Sequence, residues 1–197
     1  MKVLVVDFYE SFTYNLVHYL ESLDCDVTVV KNDFLELNML TEFEAVLLSP
    51  GPGLPQEKDN LFEILSFCDS TIHVFGICLG LQGIGIYLGA KLVNQQIVKH
   101  GVQEEIAILN KTGLFQGFPN KINVGLYHSW KLEGIHKDYI TAISKNGTIM
   151  ALESKNRKIY AVQFHPESIM TDKGKEILKN FIDLISKQVC NKVNQII

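Results

Sequence analysis

The sequence lacks the features that mark several common protein classes. None of its apolar stretches approaches the roughly 18 residues that a membrane-spanning helix requires, and its first apolar run is too short for a secretion signal. Lys and Arg number 18 against 22 Asp and Glu. No segment concentrates these cations, so the basic patch typical of nucleic-acid binding is missing. We therefore expect a cytoplasmic protein with neither a nucleic-acid nor a membrane partner.

Cysteine is scarce and is not spaced for metal or redox chemistry. The four cysteines are Cys25, Cys68, Cys78 and Cys190, and no pair has the CxxC spacing of a zinc ribbon or a thioredoxin motif. The histidines form no metal-ligand spacing with carboxylates or thiols either. We expect free thiols and no metal site.

The first half of the chain alternates apolar strands with amphipathic helices. Strands are predicted at Lys2–Asp7, Asp26–Val30, Ala45–Ser49 and Ile72–Ile77. One helix is predicted to begin after an N-cap at Ser11, and two more cover Asn60–Phe67 and Leu79–Tyr87. Strands that alternate with helices pair in parallel through right-handed crossovers. The pattern predicts an α/β fold with an open, mostly parallel central sheet flanked by helices.

The second half has short strand-like runs separated by turn signals. Strands are predicted at Glu104–Leu109, Ile122–Leu126, Tyr139–Ile143, Thr148–Leu152 and Lys158–Gln163. They predict a smaller antiparallel part, and an amphipathic helix follows over Gly174–Ile185. We expect one domain over residues 1–187, which suits a chain of 197 residues, and a frayed tail over residues 188–197.

A cysteine stands where a buried strand meets a helix. Cys78 lies in the segment Gly76-Ile-Cys-Leu-Gly80, which is the pattern of a nucleophile elbow with Cys in place of Ser. Small residues on both sides allow the cramped turn, and a helix N-terminus favours a thiolate. The amide of Leu79 is placed to stabilise an oxyanion. A buried Cys in a glycine-rich turn is the alternative interpretation.

A base and a group to orient it follow the last predicted strand. His165 and Glu167 are two residues apart, so an extended backbone projects both side chains to one side. Glu167 can then hold the imidazole while its other nitrogen faces the thiol, as in a catalytic triad. Alone, a His-x-Glu pair is weak evidence, and two surface polar residues after the final strand are the alternative interpretation.

A stiff loop directly follows the third strand. Ser49-Pro-Gly-Pro-Gly-Leu-Pro55 has prolines that restrict the backbone, and Gly51 and Gly53 permit a close approach to a ligand. We interpret it as the second amide donor of an oxyanion hole, although a plain Pro-Gly turn is the commoner meaning.

Taken together, these segments resemble the class I (triad) glutamine amidotransferases. Within that family they are most similar to the small subunit (component II) of anthranilate synthase and of aminodeoxychorismate (para-aminobenzoate) synthase. The resemblance runs along the whole chain through Val-Val-Asp7, Ser-Phe-Thr-Tyr-Asn15, Leu-Ser-Pro-Gly-Pro-Gly53, Gly-Ile-Cys-Leu-Gly-Leu-Gln82, His100-Gly101, Tyr-His-Ser129 and Val-Gln-Phe-His-Pro-Glu-Ser168. It implies a flavodoxin-like fold.

The resemblance also implies a reaction and a set of site residues. Glutamine would be hydrolysed to glutamate and ammonia through a glutamyl thioester on Cys78, with His165 as base and then acid and Glu167 as its orienter. The other implied site residues are Gly53 and Leu79 (oxyanion hole), Gln82, Ser129 and Trp130 (glutamine binding), and Gly51 and Pro52 (the wall of that site).

The implied partner is a chorismate-binding synthase component I, itself Mg²⁺-dependent, which would use the ammonia in tryptophan or folate biosynthesis. The chain itself would need no cofactor. Two alternatives stay open: a glutaminase subunit for another synthetase, such as that for GMP or carbamoyl phosphate, and a non-catalytic regulatory relative. Departures from the branch pattern at Leu81, Val102 and Trp130 leave all three triad positions intact.

Overall fold

The computed structural model describes residues 1–193. Its strands and α-helices are β1 (Lys2–Asp7), α1 (Thr13–Glu21), β2 (Asp26–Lys31), β3 (Ala45–Leu48), α2 (Leu61–Cys68), β4 (His73–Ile77), α3 (Leu79–Tyr87), β5 (Lys91–Ile108), β6 (Lys121–Glu133), β7 (Ile140–Ser144), β8 (Ile149–Ser154), β9 (Ile159–Val162) and α4 (Gly174–Val193). The strands of this described part form one nine-stranded sheet in the order β2-β1-β3-β4-β9-β8-β7-β5-β6.

The first five strands of that order are all parallel. Their order is the doubly wound, flavodoxin-like one, so the predicted fold class is confirmed. Side chains alternate between the two faces of each strand. Val3 and Val5 pack in the cluster that contains residues of α1 and α4, whereas Leu4 and Val6 pack in the cluster that contains residues of α2 and α3. Burial of both faces explains why β1 is apolar throughout.

The other four strands continue the sheet with antiparallel pairs. The predicted antiparallel part is therefore present, but two of its strands are much longer than predicted. β5 and β6 form a long hairpin interrupted by register shifts near Asn94 and His100. The pattern missed residues 91–103 because most of their side chains are exposed or half-buried, so they carry no apolar alternation.

Two element ends also differ from the prediction. The N-cap of α1 is Phe12, and no side chain caps the helix, so the predicted N-cap at Ser11 is wrong. Asp7 organises this turn instead, since its carboxylate accepts hydrogen bonds from the Glu10 amide and the Thr13 hydroxyl. α4 runs to Val193. The helix thus extends into the predicted tail of residues 188–197, which stays a prediction, and residues 194–197 lie outside the described residues.

The parallel pairing places the carboxyl ends of five strands along one edge of the sheet. β2, β1, β3, β4 and β9 end there in neighbouring positions, and such an edge is where open α/β folds bind ligands. Over residues 1–193, no helix is both long enough and apolar enough to cross a membrane.

Candidate active site

Cys78 lies at the tight junction between β4 and α3. Its backbone has φ 51° and ψ −97°, a left-handed conformation that is strained for a residue with a side chain. The glycines on either side make the turn possible. A Cβ atom at Gly80 would lie 2.7 Å from the Leu48 carbonyl oxygen, and one at Gly76 would lie 2.6 Å from the Gly80 carbonyl carbon. The local geometry is therefore that of the predicted nucleophile elbow.

The predicted base and its orienter lie in the loop that follows β9. His165 Nδ1 and Glu167 Oε1 are 2.6 Å apart, and both side chains are buried. The backbone of His165 is tied down at both ends: its amide donates to the Gly125 carbonyl, and its carbonyl accepts from the Thr171 hydroxyl. The Tyr127 ring packs edge-on against the imidazole, with ring centroids 4.9 Å apart. These contacts hold the imidazole in one position.

Two neighbouring side chains favour the protonated form of His165. Burial by itself lowers the pKa of this histidine, but the side chains of Cys78 and Glu167 outweigh burial and raise the pKa to about 10. Because Nδ1 is occupied by Glu167, Nε2 is the nitrogen left to exchange a proton with Cys78. The site can therefore hold a proton on the imidazole next to a cysteine sulfur, which is the arrangement that nucleophilic cysteine catalysis uses.

A cavity of about 700 Å³ opens beside Cys78. Five of the predicted site residues line it: Gly51, Pro52, Cys78, His165 and Glu167. The loop after β3, the elbow after β4 and the loop after β9 thus meet at the sheet edge. This volume accommodates a small-molecule substrate.

The other predicted site residues do not line this cavity. They are Gly53, Leu79, Gln82, Ser129 and Trp130. Leu79 and Gln82 lie in the first turns of α3, and the backbone N–H of Gln82 donates to the Cys78 carbonyl. Gly53 is exposed, has φ 78°, and lies beside the Glu57 carboxylate. Its predicted role as an oxyanion donor stays a prediction.

The remaining wall of the cavity comes from residues to which no chemical role was assigned. These are Tyr9, Glu10, Ser11, Phe12, Asn15, Pro50, His100, Tyr127, Ser168 and Ile169. Residues 9–12 belong to the turn between β1 and α1. Parallel topology could have pointed to this turn, since it follows the carboxyl end of β1 just as the elbow follows β4.

The residues described here offer no metal site, since no three His, Cys, Asp or Glu side chains lie close enough to share an ion. Three cysteines in this part of the chain, Cys25, Cys68 and Cys78, are free and buried. Burial raises the pKa of Cys68 to about 12, which keeps that thiol protonated and inert. Cys78 differs from it in lining a cavity together with His165 and Glu167.

Comparison with known proteins identifies the family. The model of the class-I glutamine amidotransferase family matches residues 4–184. The chain belongs to this family. It is a glutamine amidotransferase whose cysteine elbow, buried histidine and carboxylate lie at the carboxyl edge of the sheet.

Individual relatives agree with this assignment. A protein of Haemophilus influenzae named putative anthranilate synthase component II is 35% identical in an alignment of 187 positions that covers 92% of this chain and 96% of that protein. The aminodeoxychorismate/anthranilate synthase component 2 of Bacillus subtilis is 38% identical, over 95% of this chain and 98% of that protein. A crystal structure from Thermoplasma acidophilum, described as that of a putative GMP synthase subunit, superposes with a TM-score of 0.85 at 26% identity and covers 99% of this chain and 98% of that one.

Proposed function

We propose that this amidotransferase hydrolyses glutamine and supplies the ammonia to a chorismate-binding synthase component I. The observation that carries the chemistry is the arrangement of Cys78, His165 and Glu167 around one cavity. The observation that supports the pathway is that relatives at 35% and 38% identity are named as components of anthranilate and aminodeoxychorismate synthases.

The proposed reaction follows from the geometry of the triad. The Cys78 proton moves to His165 Nε2, and the sulfur attacks the side-chain carbonyl carbon of glutamine. His165 then gives its proton to the leaving nitrogen, so that ammonia departs and a glutamyl thioester remains. Water, deprotonated by His165, attacks the thioester carbon; the carbon–sulfur bond breaks, glutamate leaves, and His165 returns the proton to Cys78 Sγ. Glu167 keeps the imidazole in the correct tautomer throughout.

From the family resemblance, we assign the oxyanion hole to the amides of Leu79 and Gly53, and glutamine binding to Gln82, Ser129 and Trp130, although none of these five residues lines the cavity in the free chain. Leu79 directly follows the nucleophile, so its amide is adjacent to the reacting carbonyl. Gly53 must reorient from its exposed position, and a glycine between two prolines can do so with its ends fixed. A crystal structure of the Cys78→Ala chain with glutamine bound would test these contacts, and a glutamine oxygen away from both amides would refute the assignment.

The decisive experiment compares two nitrogen sources in the complex with component I. In Cys78→Ala, glutamine-dependent synthesis should disappear while ammonia-dependent synthesis continues, because only glutamine hydrolysis needs the sulfur. Cys25→Ala is the matched control, since it removes a buried thiol away from the cavity and should keep both activities. Loss of both activities in Cys78→Ala would mean that Cys78 has a structural role. Amination of a GMP precursor instead of chorismate would favour the Thermoplasma-like alternative.

We propose that component I docks over the mouth of the cavity. Three apolar side chains line the cavity and are nevertheless exposed: Tyr9 by 50%, Phe12 by 57% and Ile169 by 98%. Exposed apolar groups around a catalytic opening are typical of an interface, and a cover there would let ammonia pass without release to water.

A cytosolic location stays a prediction of the sequence.

The docking surface can be tested with one pair of variants. Ile169→Lys should weaken binding to component I at least tenfold, because it places a charge in a desolvated interface. Leu109→Lys is the control, since Leu109 is 57% exposed but does not line the cavity. Binding is measured by titration calorimetry. Equal affinities for the two variants would place the interface elsewhere.

A further inference from the structure

Gln163 is a fully buried polar residue in the motif that contains the base. It directly follows the end of β9. β9 pairs in parallel with β4, where Val162 is opposite Ile77, and the Cys78 amide donates to the Val162 carbonyl at 2.8 Å. This register places Gln163 beside Cys78. Its side-chain Nε2 donates to Cys78 Sγ at 3.5 Å.

We propose that Gln163 stabilises the thiolate of Cys78 and aims its sulfur into the cavity. The inference rests on the proposed role of Cys78 as the nucleophile. A hydrogen bond to an ionised acceptor is roughly twice as strong as one to a neutral acceptor. The Gln163 amide therefore favours the state in which the Cys78 proton has moved to His165, and it also restricts rotation of the sulfur.

The other end of the Gln163 amide supports this role. Its Oε1 atom is buried and has no hydrogen-bond partner among the described residues. A buried acceptor without a partner destabilises the fold, so the amide is not explained by a contribution to stability. Its placement is explained by the contact of Nε2 with the sulfur.

The groups around the sulfur have complementary tasks. The titratable groups that act on each other at this site are Cys78, His165 and Glu167. His165 takes the proton, and Glu167 holds the protonated ring. Gln163 is neutral at every working pH, so its hydrogen bond acts on the sulfur without adding another titrating group.

The test is the rate at which Cys78 of the full chain reacts with iodoacetamide as the pH is varied, read by peptide mass spectrometry. Gln163→Met keeps the size of the side chain and removes the donor. Below the pH of half-maximal reaction, we expect alkylation to be threefold to tenfold slower than in the wild type. In the complex with component I, kcat for glutamine should fall by a similar factor with KM changed less than twofold. Cys68 is the internal control and should stay unmodified.

Thermal unfolding separates this role from a structural one. Because Gln163→Met removes the unpartnered Oε1, its melting temperature should equal or exceed that of the wild type. Gln163→Glu is a second variant of the same shape, and its carboxylate should slow alkylation further by repelling the thiolate. An unchanged pH profile in both variants, or unfolding of both, would overturn the inference. Wild-type Cys78 that reacts no faster than a free thiol would instead contradict the proposed function.

Discussion

Replacement of Glu167 by Gln isolates the electrostatic part of the triad. The variant keeps the shape of the side chain and an oxygen that can accept from His165 Nδ1, but it removes the negative charge 2.6 Å from the ring. Hydrogen bonds to charged groups contribute about 1.5–3 kcal/mol, and neutral ones about 0.5–1.5 kcal/mol. The difference of about 1 kcal/mol predicts that the ring binds its proton roughly fivefold to tenfold more weakly.

The same substitution should lower both turnover and stability, and its effect on turnover should be smaller than that of removing His165. Glutaminase turnover in the complex should fall about 10-fold to 100-fold, whereas His165→Ala should cost about 10²–10⁴ because it removes the base itself. Glu167 Oε2 has no hydrogen-bond partner among the described residues. The amide group that replaces it therefore gains none, and the variant should lose about 1–3 kcal/mol of stability.

Two measurements check these expectations. Turnover is followed by the release of glutamate from the complex with component I, and proton binding is followed by NMR titration of the His165 ring. If Glu167→Gln lost as much activity as His165→Ala, Glu167 would do more than orient the base. If the ring titrated as in the wild type, the carboxylate would not be the group that holds the imidazolium.

The remaining predictions concern the elbow and a second buried carboxyl. Gly80→Ala should lower the free energy of unfolding by about 1–3 kcal/mol and abolish activity, because its Cβ would meet the Leu48 backbone. Gly83→Ala should lower the free energy of unfolding less, since its Cβ would meet only the Leu61 side chain. Chemical denaturation of the two variants decides this, and equal losses would contradict it. Burial raises the pKa of Glu153 to about 7, so the folded state holds this proton longer than the unfolded chain, whose carboxyl titrates near 4.5. The free energy of unfolding should therefore fall as the pH rises from about 4.5 to about 7, and it should fall less in Glu153→Gln. Identical pH profiles of stability for the wild type and this variant would refute the raised pKa.

The sequence by itself determined the parallel part of the fold. The strand β1 is apolar throughout, and strands alternate with helices in the first half of the chain. This pattern allows few architectures, because strands buried on both faces must be covered by helices. The cysteine elbow was also readable, since only small residues at positions 76 and 80 permit the turn. Local chemistry of this kind does not depend on distant parts of the chain.

The tertiary structure alone decided how far the hairpin of β5 and β6 extends. Residues 91–103 have half-exposed or exposed side chains, and an exposed strand carries no apolar signal. Its length follows from pairing with β6, a long-range contact that no local pattern records. The same holds for the start of α1, where the Asp7 carboxylate replaces the expected cap at Ser11.

The site shows the same division. Cys78, His165 and Glu167 could be named from short motifs, since each motif has a local reason for its spacing. No short motif names the wall formed by residues 9–12, to which only the parallel topology points, or the contact of Gln163 with the sulfur. Both arise where strands that are distant in sequence end side by side, and their register sets which side chains meet.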